Sequence, residues 1–171
     1  MTLAVGQKAT GFTLPDTDGQ QHSLSTGQVA VVVFTCNHCP YALAWHDRIL
    51  QAARDYSDVR FFAINPNDAK RYPADSAEAM RERVERDGGW PLPYLRDESQ
   101  EVARAYGAQT TLHVFVLDAA GTVRYAGAPD ADHRDPSLNA AWLRDALDAV
   151  LAGEEPSRPE TAPVGCSVKW K

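Results

Sequence analysis

What this chain lacks narrows its functions before any motif is weighed. No apolar run approaches the roughly 20 residues that span a bilayer, and the opening MTLAVGQKATGFTL lacks the charged-then-apolar order of a secretion signal. There is no basic stripe. The net charge is −6 with both signs mixed along the chain, so the electrostatic footprint of a nucleic-acid binder is missing. The only cysteines are Cys36, Cys39 and Cys166, too few and odd in number for a disulfide scaffold. No internal repeat is visible. These absences lead to the expectation of a cytoplasmic protein that engages neither membrane nor nucleic acid. With 171 residues, 44% of them apolar, the chain can build one full-sized core.

The periodicities then divide the chain. LPDTDGQQHSL reads as a hairpin turning at Asp16–Gly19. Val29 to Thr35 is a continuous β-branched run, the pattern of a strand buried on both faces of a sheet. Ala42, Trp45, Ile49, Ala52, Ala53 and Tyr56 recur at three and four, so a helix follows the cysteines and ends near Tyr56. A second strand is expected at 59–65, then a helix capped by Asp75 or Ser76 and stopped at Gly88–Gly89. DESQEVARAYG is a shorter helix, HVFVLDAAGTVRYAG a pair of strands, and SLNAAWLRDALDAVLAG an amphipathic helix closed by Gly153. The four tryptophans read as packing residues. The order argues for one α/β domain over residues 1–153 with a central mixed sheet. Residues 154–171 are proline-punctuated and extended, with Val164, Cys166, Val168 and Trp170 on one face, a tail that should pack on the domain with Cys166 mostly buried.

Chemistry concentrates in FTCNHCPY, residues 34–41. A Cys-x-x-Cys at a strand-to-helix junction sets the first thiol where unpaired N–H groups favour negative charge, and the second one turn on, within reach of a mixed disulfide. His38, between them, can tune the thiolate. Two other readings stay open: a pair of small buried hydrophobes, or two ligands of a soft metal. The leading one makes Cys36 the partly exposed nucleophile and Cys39 the more buried resolver.

The stretches VGQKATGFTLPDTDG, VVVFTCNHCPY, FFAINPND, PLPYLRDESQEVARAYGA and VGCSVKWK resemble the thioredoxin-like superfamily, in its peroxiredoxin-like AhpC/TSA or redoxin branch. The resemblance implies a three-layer sandwich, a central mixed sheet with helices on both faces. It also implies thiol–disulfide exchange through Cys36 and Cys39, with no cofactor or metal and with a protein or small-molecule disulfide and a redox partner as its counterparts. Two departures matter. Peroxiredoxins carry P-x-x-x-T/S-x-x-C, but Val29 and Val33 hold those places here, so little peroxidase activity is expected. The family's cis-proline, which faces the thiols and helps hold a substrate peptide, falls on Leu112 after Thr111. A cis bond before a non-proline residue costs about 2.5–4 kcal/mol, so Thr111–Leu112 should be trans. The alternative function is copper-delivery-like metal binding by Cys36, Cys39 and His113. Cys166 reads first as a structural thiol and second as a third redox thiol.

Overall fold

Val31, Val32, Val33 and Phe34 offer apolar surface on both sides, so a strand made from them is stable only between two layers. In the computed structural model, which describes all 171 residues, they form most of the fully buried β3 (Ala30–Phe34). Ahead of it β1 (Thr13–Pro15) pairs with β2 (Gln21–Ser23) across the expected turn, where the Asp16 carboxylate accepts the N–H groups of Asp18 and Gln20. On one side of β3 lie β4 (Arg60–Asn65) and then β5 (Tyr94–Arg96), both parallel; on the other lie β6 (His113–Leu117) and β7 (Val123–Gly127), antiparallel. The sheet order is β5-β4-β3-β6-β7. β5 lacks a sequence signal, being three residues long and preceded by Pro91 and Pro93.

Helices cover both faces. Trp45 and Ile49 of α1 (Pro40–Asp55), Met80 of α2 (Ala77–Arg86) and Leu143 and Leu147 of α4 (Ala141–Leu151) share a cluster with Val31 and Val33. Tyr106 of α3 (Glu101–Tyr106) joins Phe12, Val32, Phe34 and Phe115 on the opposite face. This is the three-layer α/β thioredoxin-like architecture.

One expected boundary is resolved and one is corrected. Of the two candidate caps for α2, Ser76 does the work, its hydroxyl accepting the Ala79 N–H at 3.1 Å, while Asp75 sits in a 3-10 turn, Pro73–Asp75, and is fully buried. And α4 starts later than its apolar periodicity implied. Pro136–Leu138 make a separate 3-10 turn, and Asn139 and Ala140 adopt φ of 54° and 53°. The Ala140 N–H is held by the buried Asp130 carboxylate at 2.9 Å, which bends the chain before the helix begins.

The segment after Gly153 runs across the sheet end without helix. Thr161 pairs with Ala126 at the β7 edge, Cys166 packs on the α1 side, and Val168 enters the opposite cluster. The single apolar face expected of this tail is therefore not what forms. Val164 and Trp170 are exposed, because a segment crossing from layer to layer presents one side to different surroundings in turn.

Candidate active site

Pro40 opens α1 at the first helical position, where a missing N–H costs nothing, and this makes Cys39 the N-cap residue. Cys39 Sγ lies 3.0 Å from the Thr111 hydroxyl, with the thiols of Cys36 and Cys166 as its sulfur neighbours. The proximity of Cys36 leads, and with Cys166 and Thr111 it lowers Cys39 against the opposing cost of burial. Cys36 moves the other way. It donates its proton to Cys39, is buried, and faces the Asp75 carboxylate, and each effect raises it. The expectation of a partly exposed Cys36 is corrected: both sulfurs belong to residues only 1% exposed, and the helix starts one residue after Cys39.

His38 turns its Nδ1 to Asp75 Oδ2 at 2.7 Å, and its side chain is 35% exposed. Asp75, fully buried, also accepts from the Asn37 N–H (2.7 Å), Asn65 Nδ2 (3.1 Å) and Asn67 Nδ2 (3.0 Å). A ring nitrogen of His38, the Cys36 sulfur and an Asp75 oxygen lie within 4.8 Å of one another. The carboxylate thereby fixes which His38 nitrogen carries a proton and how the ring stands, and the ring stacks on Tyr72 at 5.7 Å. Asp75 was visible in the sequence only as a candidate cap. Arg83 was not singled out, although its Nη1 donates to the Cys36 carbonyl and to Asn37 Oδ1, both at 3.0 Å, and pins the turn. The available signal was the pair of amides in NPND directly after a strand.

Cys36, His38 and Asp75 are the donors that could hold a metal ion, yet both Asp75 oxygens are already occupied by N–H groups. The ligand set with His113 is corrected outright. Alternation along β6 turns His113 to the face opposite the thiols, where it stacks on Phe115 at 4.5 Å and accepts the Gln109 N–H at 3.2 Å. Burial lowers His113 to about 4. Above pH 6.5 the ring is neutral folded or unfolded. Below it only the unfolded chain gains a proton, so stability falls until about pH 4, by about 3 kcal/mol in all. Urea melts of wild type and His113→Asn between those pH values should show this slope in the wild type and a shallower one in the variant.

Thr111 and Leu112 stand where the family's substrate loop lies, but neither is open. Thr111 is 2% exposed, its N–H donating to the Cys166 carbonyl at 2.8 Å, so the tail takes the edge expected to receive a peptide. Leu112 is 1% exposed among the α1-side apolar residues rather than presented to solvent. Its preceding bond is trans, as anticipated, but its φ is 57° and its N–H bonds the Phe34 carbonyl at 2.6 Å. Proline could supply neither, so Leu112→Pro is a disruptive substitution and not a restored family feature.

A five-stranded mixed sheet with a dithiol at the N-terminus of its first long helix defines a thioredoxin-like protein. A profile of the AhpC/TSA family matches residues 5–126, and the chain belongs to that family. An uncharacterised conserved protein from Geobacillus kaustophilus is 36% identical, with a TM-score of 0.92, over 99% of this chain and 94% of that one. A hypothetical protein from Sinorhizobium meliloti is 32% identical, with a TM-score of 0.93, over 100% and 97%. A putative thiol:disulfide interchange protein from Chlorobium tepidum, 22% identical over 87% of this chain and 99% of that one, shares the fold at a TM-score of 0.68. No curated protein matches the chain in sequence. No helix is long and apolar enough to cross a membrane.

Proposed function

We propose that the protein is a thiol–disulfide oxidoreductase whose working pair is Cys36 and Cys39, with Cys39 as the resting thiolate. The observation that carries this reading is the dithiol itself, Cys36 and Cys39 buried together at the start of α1 with the Thr111 hydroxyl 3.0 Å from Cys39 Sγ. A sulfur so supported is a nucleophile and a good leaving group at neutral pH. The Cys39 thiolate attacks a sulfur of the substrate disulfide and forms a mixed disulfide. Cys36 then gives up its proton and attacks Cys39, forming the Cys36–Cys39 bond while the second substrate thiolate leaves with the electron pair. His38, held by Asp75 close to the Cys36 sulfur, is placed to receive that proton. A protein or small-molecule disulfide and a separate thiol partner would complete the cycle. Equilibrating the protein in glutathione buffers, then alkylating and mapping peptides, tests this: a single two-electron transition joining Cys36 to Cys39 is expected, and two thiols that stay independently alkylatable under every ratio would overturn it.

The same site offers little to a peroxide. Val33 is buried in β3 and Val29 lies just before it, so no hydroxyl occupies the positions that orient peroxide in peroxiredoxins. Stopped-flow mixing of the reduced protein with hydrogen peroxide should show slow consumption; a rate typical of peroxiredoxins would contradict this.

A further inference from the structure

The course of the tail is set by hydrogen bonds at three places. Beside β7 the Thr161 N–H donates to the Ala126 carbonyl at 3.1 Å, and its hydroxyl accepts the Ala128 N–H at 2.9 Å. Over the thiols, Ser167 bridges antiparallel to Thr110, and the Thr111 N–H donates to the Cys166 carbonyl at 2.8 Å. Past them, the Lys169 N–H donates to Asn67 Oδ1 at 2.9 Å, and its carbonyl accepts the Asp68 N–H at 2.8 Å and the amide of buried Gln100 at 3.0 Å. Gly165 is what allows the close approach, since a Cβ there would overlap the Thr111 carbonyl oxygen. The chain thus lays its own segment along the Thr110–Thr111 edge. That segment carries one cysteine, Cys166, whose carbonyl accepts the Thr111 N–H at 2.8 Å while the Thr111 hydroxyl lies 3.0 Å from Cys39 Sγ. Burial on the core would need no strand pairing and no glycine contact.

We propose that Cys166 is a third redox thiol of this centre and that the tail is the protein's built-in exchange substrate. The inference rests on the thiol–disulfide reading above. Once a substrate disulfide has taken two electrons from Cys36 and Cys39, the deprotonated Cys166 sulfur attacks Cys39. The Cys39–Cys166 bond forms and the Cys36–Cys39 bond breaks. Cys36 leaves with the electron pair and takes up the proton that Cys166 released. No net oxidation occurs. Cys39 is shared by two alternative disulfides, one leaving the tail free to lift, the other tying it across the site with Cys36 as a free thiol.

The full chain, treated with glutathione disulfide, quenched in acid, alkylated and peptide-mapped, tests this. Both Cys36–Cys39 and Cys39–Cys166 bridges are expected in the wild type, and Cys39–Cys166 should be the main product in Cys36→Ser. Gly165→Val, which pushes the tail off Thr111, should lower the Cys39–Cys166 share roughly tenfold by cutting the effective concentration of its thiol; an undiminished share would overturn delivery by the tail. If Cys36–Cys39 forms while Cys166 stays alkylatable in both wild type and Cys36→Ser, this inference fails and the parent reading stands. If no bridge to Cys39 forms at all, the parent reading fails with it.

Discussion

Cys39→Ser should abolish disulfide reduction, a loss on the order of 100-fold or more, because it removes the nucleophile itself. Cys36→Ser should also stop turnover but in a different way: the mixed disulfide formed on Cys39 is resolved by Cys166 alone, which joins Cys39 to the tail as the second substrate thiolate leaves. The distinction is readable by mass spectrometry after incubation with a model disulfide. The thiolate's ultraviolet absorbance supplies an independent measure. Since Cys39 is lowered, the absorbance should persist at pH values where an ordinary thiol carries no charge. It should be absent at neutral pH in Cys39→Ser. In Cys36→Ser it should survive but titrate at higher pH, since the hydroxyl left at position 36 is a different donor from the thiol that contributes most. A mixed disulfide trapped on Cys36 in Cys39→Ser would reverse the assignment and make the first cysteine the attacking group.

Asp130→Ala should cost about 3–5 kcal/mol of folding stability, the usual penalty for stripping the partner from a buried charge. Arg48 is 5% exposed, and its Nη1 meets both Asp130 oxygens at 3.0 and 2.9 Å while donating also to the Asp132 carbonyl at 3.0 Å. The same carboxylate holds the Trp45 indole N–H at 2.9 Å and the Ala140 N–H, so it ties α1 to the loop that launches α4. Removing it takes the carboxylate from the Trp45, Asp132 and Ala140 N–H groups and leaves the buried Arg48 charge without its counter-ion. Chemical denaturation should show a lower midpoint with an unchanged slope. The paired replacement Arg48→Met with Asp130→Leu should recover much of the loss, because it removes both charges at once. A single Asp130→Ala variant within about 1 kcal/mol of wild type would mean that the pair is solvated in solution.

The architecture was legible in the sequence because it depends on local periodicity. The unbroken run around Val31–Phe34 can only be a central strand, the three-four spacing from Ala42 to Tyr56 can only bury one helical face, and Gly107 and Gly153 stop their helices. β5 escaped notice because three residues after two prolines carry no period, and their place at the edge is decided by pairing with β4. The two cysteines could also be found, since their spacing and position after a strand are local facts. What surrounds their sulfurs comes from residues far along the chain. Asp75 faces Cys36 from a turn that the sequence offered only as a helix cap, Thr111 brings a hydroxyl to Cys39 from the loop before β6, and Cys166 arrives from the tail. A sulfur's charge depends on every donor and carboxylate within a few ångströms, and contacts of such long sequence separation leave no periodic trace. The sequence by itself determined the layers and the paired thiols; the tertiary structure buried both thiols, turned His113 to the far face, and placed the tail over the site.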